Sequence, residues 1–362
     1  MDNCDSYCYL GVVLSRSGSL RMASKALHDK ALGAMFSIIR NINRHYACRF
    51  DILLDIFDKM VLPIALYNSE VWGTNFLPVN IKNNNLFDVN ALSKHIVENM
   101  HLKFLKMILG INQSTSNWAV LSETGRFPII IRVLKSIVKY VFHLNKSPSN
   151  LLIAALTTNI NLSRMGFNSW FKYLERTLTF CNLEYLLYSN DAREINFQIG
   201  KLNKTLKTLY VDKWKQDKSK LENSNSKLDL FLGIKESFGQ STYLMNCKVP
   251  LHRIACTKIR LSAHKFPIET GRYEQTPREE RKCPFCEHLG DEQHYILNCS
   301  HPFISEIRLP LINQLVTLHQ ELGQMNDPEI LKFLLKSASA QTIDLVGALC
   351  YKIQNTYLDI TG

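Results

Sequence analysis

Residues 283–299 read CPFCEHLGDEQHYILNC, and no other stretch of the chain limits its fold so strongly. Cys283 and Cys286 stand two residues apart, His294 follows after seven more, and Cys299 after a further four. A Cys-x-x-Cys turn brings two sulfurs to one side of an ion, and Pro284 stiffens that turn. His294 and Cys299 have the separation usual for the second pair of a structural zinc site. Gly290 and Asp291 let the chain turn back between the pairs. Four such ligands fill a tetrahedron and leave no open position for catalysis, so the expected ion is a closed, structural Zn2+ on Cys283, Cys286, His294 and Cys299. Two readings compete: reduced cysteines in a small core, and a fourth ligand drawn from the spare imidazoles His288 and His301. No βαβ pattern surrounds the Cys-x-x-Cys, which argues against a thioredoxin-like redox pair.

Most of the remaining chain carries helical spacing. Tyr7–Ser15 reads as a strand with Arg16-Ser17-Gly18 as its turn. From Ser19 to about Arg44, Leu27, Ala31, Ala34 and Ile38 share one helical face. Phe50–Gly73 is predicted as a second helix, kinked at Pro63. Asn83-Asn84-Asn85 marks a loop, and Asp88–Leu109 a third helix stopped by Gly110. Helices are expected over Ile129–Leu144, Asn168–Leu187 and Lys201–Lys220, with a boundary or hinge at Lys146–Asn150 and a linker at Glu222–Lys227. Residues 251–299 carry fewer helical signals, and helix resumes from Ile307. The expected fold is therefore mainly α, with a short N-terminal β element and a small zinc-binding module near the C-terminus.

The chain has 362 residues, 46% of them hydrophobic, which is enough for two or three domains with a real core. The longest apolar runs, such as Val61–Tyr67, are too short to span a bilayer, and the first residues lack the pattern of a secretory signal. Ten cysteines without regular spacing outside the cluster imply an intracellular, reducing compartment, nucleus or cytoplasm. A net charge of +11 suggests an anionic partner, with RNA or DNA first. Two stretches concentrate that charge. Lys201–Lys220 holds seven lysines against two aspartates. There Lys201, Lys204, Lys207 and Lys215 lie broadly along one side, and Tyr210 and Trp214 interleave. Such a face can track phosphates and stack bases, or it is a solvated face whose aromatics point to the core. His252–Lys282 holds eight Lys/Arg against four Glu, and Arg253, Lys258, Arg260, Lys265 and Arg272 form a cationic strip just before the zinc cluster.

These stretches also carry a family likeness. Arg260–Tyr273 (RLSAHKFPIETGRY) followed by Arg278–Cys299 resembles the C-terminal region of non-LTR, LINE-type, jockey-like retrotransposon reverse transcriptases. Tyr7–Ser19 resembles the segment that follows the polymerase palm. Val61–Gly73, which reads Pro-x3-Tyr-x2-Glu-x-Trp here, resembles the family's thumb-region motif, with Asn68 where a small residue such as glycine is usual. Asn117–Ile129 and Ser226–Leu244 are similar to further stretches of the family, in the same order. The resemblance implies a post-palm strand remnant at 1–18, a thumb-like helical domain at 19–146, a helical connector with the basic helix at 147–250, a basic segment and CCHC zinc module at 251–305, and C-terminal helices at 306–362. It implies RNA-directed DNA polymerase as the family activity and the upstream palm as a further partner. The catalytic aromatic-x-Asp-Asp of that family has no counterpart, because the chain holds no Asp-Asp pair. The aspartates Asp51, Asp55 and Asp58 sit at helical spacing and read as a solvated face. The expected function is nucleic-acid binding by a detached C-terminal part, without catalysis, and no catalytic residue is assigned. The alternative is a zinc-stabilised interaction or scaffold protein derived from a mobile element.

Overall fold

The structure is a computed structural model that describes residues 4–17, 19–45, 49–78, 81, 85–189, 194–224 and 227–361. Among them the chain is mainly helical, with one two-stranded sheet. It divides into two compact units: residues 1–44, 52–104 and 127–216, and residues 45–51, 105–126 and 217–362. The expected Asn83-Asn84 loop and the centre of the Glu222–Lys227 linker lie outside the described residues.

The first unit begins with a hairpin. Ser6–Tyr9 pairs antiparallel with Val12–Ser15, Tyr7 opposite Leu14 and Cys8 opposite Val13. This corrects the single strand expected over Tyr7–Ser15. Leu10 and Gly11 both take positive φ, 46° and 82°, as a tight two-residue hairpin turn requires. Leucine gives no sequence signal for such a turn. Arg21–His45 is one long helix that buries Ala23, Leu27, Ala31, Met35 and Ile39 at four-residue spacing. The Phe50–Gly73 stretch is broken where Pro63 predicts. A wide π-type turn, Phe57–Val61, precedes a short helix Leu62–Ala65, and the proline sits in the first turn of that helix, where its missing N–H costs nothing. Asn68 then takes left-handed φ of 51° before Ser69–Trp72. Asparagine tolerates that conformation better than most residues.

Gly73 sits against the helix Ile130–Lys146, and a Cβ there would meet Val133 at 2.4 Å. The expected Asp88–Leu109 helix is two pieces. Val89–Leu92 is capped by the Asp88 carboxylate, which accepts from Asn90 N at 2.9 Å, and Ile96–Leu109 follows after a break. The break lets the His95 ring stack on Phe76 and Trp72, and burial holds that imidazole down at about 4. Trp170–Phe180 and a short 3-10 turn, Glu184–Leu187, complete the helical segments before the basic helix. Asp55 and Asp58 pair with Lys59 and Arg132 at 2.9 and 2.7 Å, as a charged outer face does; Asp51, which belongs to the second unit, pairs with Arg49 at 2.7 Å.

The second unit is organised on the helix Ala340–Thr361, which buries Ile343, Val346, Leu349, Cys350, Ile353 and Tyr357. Pro250–Arg260, Pro302–Leu318 and Asp327–Lys336 pack on it. Pro250–Arg260 and Pro267–Tyr273 are helices in a stretch that reads poorly as helical. The inward face of Pro250–Arg260 includes Arg253, Thr257 and Arg260, so its buried side does not look apolar in sequence.

Candidate metal centre and basic helix

The cluster is built from three local devices. First, Cys283 N donates to His288 O at 2.7 Å and Glu287 N to Cys283 O at 3.1 Å, closing the Cys-x-x-Cys turn. Second, Lys282 and Leu289 bridge antiparallel, and Gly290 N donates to Arg281 O at 2.9 Å, which turns the chain back. Third, His294–Asn298 is a π-type turn, and Cys299 N donates to His294 O at 2.7 Å. The third device decides the geometry. At ~3.6 residues per turn, residues five apart lie roughly 140° apart around an α-helix and cannot share an ion. A turn bonded from i to i+5 brings them back to one side. Asp291 Oδ1 accepts from His294 N at 2.8 Å and fixes its start.

One ligand atom from each of Cys283, Cys286, His294 and Cys299 falls within 4.8 Å of the others. Cys283 Sγ lies 4.0 Å from Cys299 Sγ, and Cys286 Sγ lies 3.2 Å from His294 Nε2. Cys283, His294 and Cys299 are buried and Cys286 is half-buried. This is a group that could hold a metal ion. His288 and His301 do not belong to it: His288 is exposed and stacks on His294, and His301 packs on Phe285. Burial pushes the Cys299 thiol up to about 12 and the His294 imidazole down to about 4. Burial also acts upward on Cys286, but bonds with His288 outweigh it and bring that thiol to about 7. A cation at the centre would favour thiolate over thiol at all three sulfurs. The cluster is anchored in the second unit by a ring trio, with Tyr295 5.0 Å from Tyr357 and 4.3 Å from Phe266.

The basic residues separate into two groups. In the first unit the helix Ile195–Glu222 buries Ile199, Leu202, Leu206, Tyr210 and Trp214. The aromatics therefore serve the core and cannot stack on bases. Lys201, Lys204 and Lys215 are exposed on the opposite side and Lys207 is half-buried. The Lys201 and Lys207 ammonium groups lie 5.0 and 4.9 Å over the rings of Tyr185 and Phe127, and Lys215 lies 3.7 Å from Asp212.

In the second unit the expected cationic strip does not form one surface. Arg253 is 6% exposed and Arg260 3% exposed. Arg260 donates to Glu123 from Nε at 2.5 Å and from Nη2 at 3.2 Å, and it spans Tyr243 at 4.8 Å. Ser241 Oγ donates to Glu123 at 2.7 Å, and Lys235 Nζ lies 3.9 Å away. Burial would raise the Glu123 carboxyl, but Arg260 outweighs it and holds that group below its ordinary value. Arg253 and Arg260 thus hold the core together. Lys258 is half-buried, Arg272 is bonded to Glu269, and Lys265 is exposed. Sequence reading missed Glu123, Lys235 and Ser241. The available signal was an acid just after the apolar run Trp118–Leu121 and just ahead of Gly125, whose backbone is left-handed and where a Cβ would come within 2.4 Å of Gln240 N.

No family model, no curated protein and no solved structure matches the chain. The likeness to reverse transcriptases rests on the quoted motifs alone.

Proposed function

We propose that this chain is a nucleic-acid-gripping module, the thumb, connector and CCHC part of a non-LTR retrotransposon-type reverse transcriptase, with Zn2+ as a structural ion. One observation carries the reading. The helix Ile195–Glu222 turns Ile199, Leu202, Leu206, Tyr210 and Trp214 inward and leaves Lys201, Lys204 and Lys215 outward on a chain of net charge +11. A row of ammonium groups with an internally satisfied core is what backbone phosphates recognise without base specificity. For the metal, three sulfurs and one imidazole are a soft donor set that suits zinc. A tetrahedron with zinc bond lengths has edges of about 3.6–3.8 Å. The Sγ–Sγ distance of 4.0 Å and the Sγ–Nε2 distance of 3.2 Å bracket that range. Bound there, zinc would cross-link the turn and the helical segment; all four of its positions would be filled by protein.

The test is an anisotropy titration of a labelled oligonucleotide against salt. The expected result is an affinity that falls steeply with salt, and a shallower slope once Lys201, Lys204, Lys207 and Lys215 are changed to glutamine. Salt-independent binding, or no binding at low salt, would remove the reading. A second reading, a zinc-stabilised interaction protein, draws on the helix Asn150–Arg164. No residue of it is buried, it exposes Leu151 and Ile153, and it has no charge before Arg164. Under that reading the lysine variants bind as the parent does.

A further inference from the structure

The second unit contains a polar cavity of about 480 Å³ that none of the four cluster ligands lines. It is bounded by the helix Pro267–Tyr273, the turn Arg278–Glu280, residues 291–293 and the helix Asp327–Lys336. We propose that this cavity binds a phosphate group, with Arg281 as its orienting fork and Arg272, Arg278, Lys227 and Lys332 around it.

The carboxylates on its wall are already engaged, with one exception. Glu269 accepts from Arg272. Glu292 accepts from His264 at 2.9 Å and Ser262 at 3.2 Å. Asp291 accepts from His294 N at 2.8 Å and faces the charge of Arg278. Asp229 is the remaining acid. The cations are less spent. Arg281 donates from Nε to Thr276 O at 2.9 Å and from Nη1 to Ile268 O at 3.0 Å. Both acceptors are neutral, so they aim the guanidinium without cancelling its charge. Lys227 and Lys332 make no ion pair among the described residues. Phosphate offers several acceptor oxygens and matches a planar fork better than a point charge does.

Gly271 keeps the fork in place. A Cβ there would come within 2.8 Å of Arg281 Cγ, so the arginine stem lies where only glycine permits.

The phosphate can come from a polynucleotide or from a free mononucleotide. The first source rests on the function proposed above, and the second does not. The experiment uses the full chain loaded with zinc. A labelled single-stranded oligonucleotide is titrated by anisotropy, and adenosine monophosphate by equilibrium dialysis. Four variants are compared: Arg281→Lys, Gly271→Ala, the pair Arg278→Ala with Lys332→Ala, and Lys204→Gln as a control in the other unit. Arg281→Lys and Gly271→Ala are expected to lose about tenfold in affinity for whichever phosphate ligand binds. The Arg278/Lys332 pair is expected to flatten an oligonucleotide salt slope by about 1.4. Lys204→Gln is expected to weaken the oligonucleotide only. Should Arg281→Lys fail to keep its zinc and helicity, the Arg278/Lys332 pair, which lies at the rim, decides alone. Oligonucleotide binding that every cavity variant leaves unchanged overturns the cavity while the broader function stands. Monophosphate binding that Arg281→Lys abolishes, with no oligonucleotide bound by the parent, supports the cavity and overturns the broader function. No phosphate ligand of either kind overturns both.

Discussion

The two units differ in which charges they take inside. The first buries mostly rings and aliphatic chains, such as Trp72, Phe104, Tyr210 and Trp214, with one acid–imidazole pair, Glu98 and His101 at 3.1 Å, and keeps its lysines outside. The second takes charge inward. Glu123 and Arg260 meet at 2.5 Å in its core, and three cysteines with one histidine gather at one edge. An interior of hydrocarbon is held by the solvent and is indifferent to ions. An interior of ionised groups stands only while each charge keeps its partner. The first unit is therefore free to spend its lysine surface on a polyanion, and the second is the part that holds the candidate metal cluster and the buried Glu123–Arg260 pair.

Chelation should break this contrast most widely. With zinc bound at the cluster as proposed, its removal would take away a binding free energy on the order of 10 kcal/mol at the second unit. Chelator titration followed by circular dichroism should show part of the helicity lost with the metal and the rest retained to higher denaturant. One concerted loss of all helix would show that the two interiors are not independent. Next in size are two substitutions that ought to match in cost and differ in kind. Trp214→Ala should cost about 3–5 kcal/mol as a core truncation, equally at pH 7 and pH 4. Glu123→Gln should cost about 3–5 kcal/mol at pH 7, because it leaves the Arg260 charge buried without its counterion. Its effect should shrink on acidification. Glu123 titrates below the ordinary value of 4.5, so the pairing contributes its full stability above that value and loses it as pH falls beneath. Denaturant melts of both variants across that range check the sign, and a Glu123→Gln cost that persists at pH 2 would contradict it. The smallest effect belongs to the lysines. Lys201→Gln with Lys204→Gln should alter stability by no more than about 0.5 kcal/mol. The same pair should reduce the salt slope of oligonucleotide binding by about 1.4.

What could be seen in the sequence follows the same division. Where a core is hydrocarbon, spacing reveals it: Leu27 and Ala31 are on the buried face predicted for the first long helix, and the kink at Pro63 lies where proline forces it. The four cluster residues were also legible, because ligand type and spacing are themselves the chemistry. Two kinds of feature were not. Arg253 and Arg260 looked like surface cations, since nothing local announces that a glutamate 137 residues away will take one of them inside. The hairpin turn at Leu10-Gly11 and the break at Ser93–His95 were hidden for a different reason. A leucine with positive φ and a histidine stacked on Phe76 are choices made by packing, not by local preference.

The distance along the chain between Glu123 and Arg260 sets an order of events during synthesis. Every segment of the first unit has been made by residue 216, whereas Glu123 must wait for residue 260 to appear. At ~5–20 residues per second that wait is roughly 7–27 seconds, during which the first unit's last segment is emerging between the two partners. A ribosome stalled between residues 216 and 260 would have made every segment of the first unit while Glu123 still lacks Arg260.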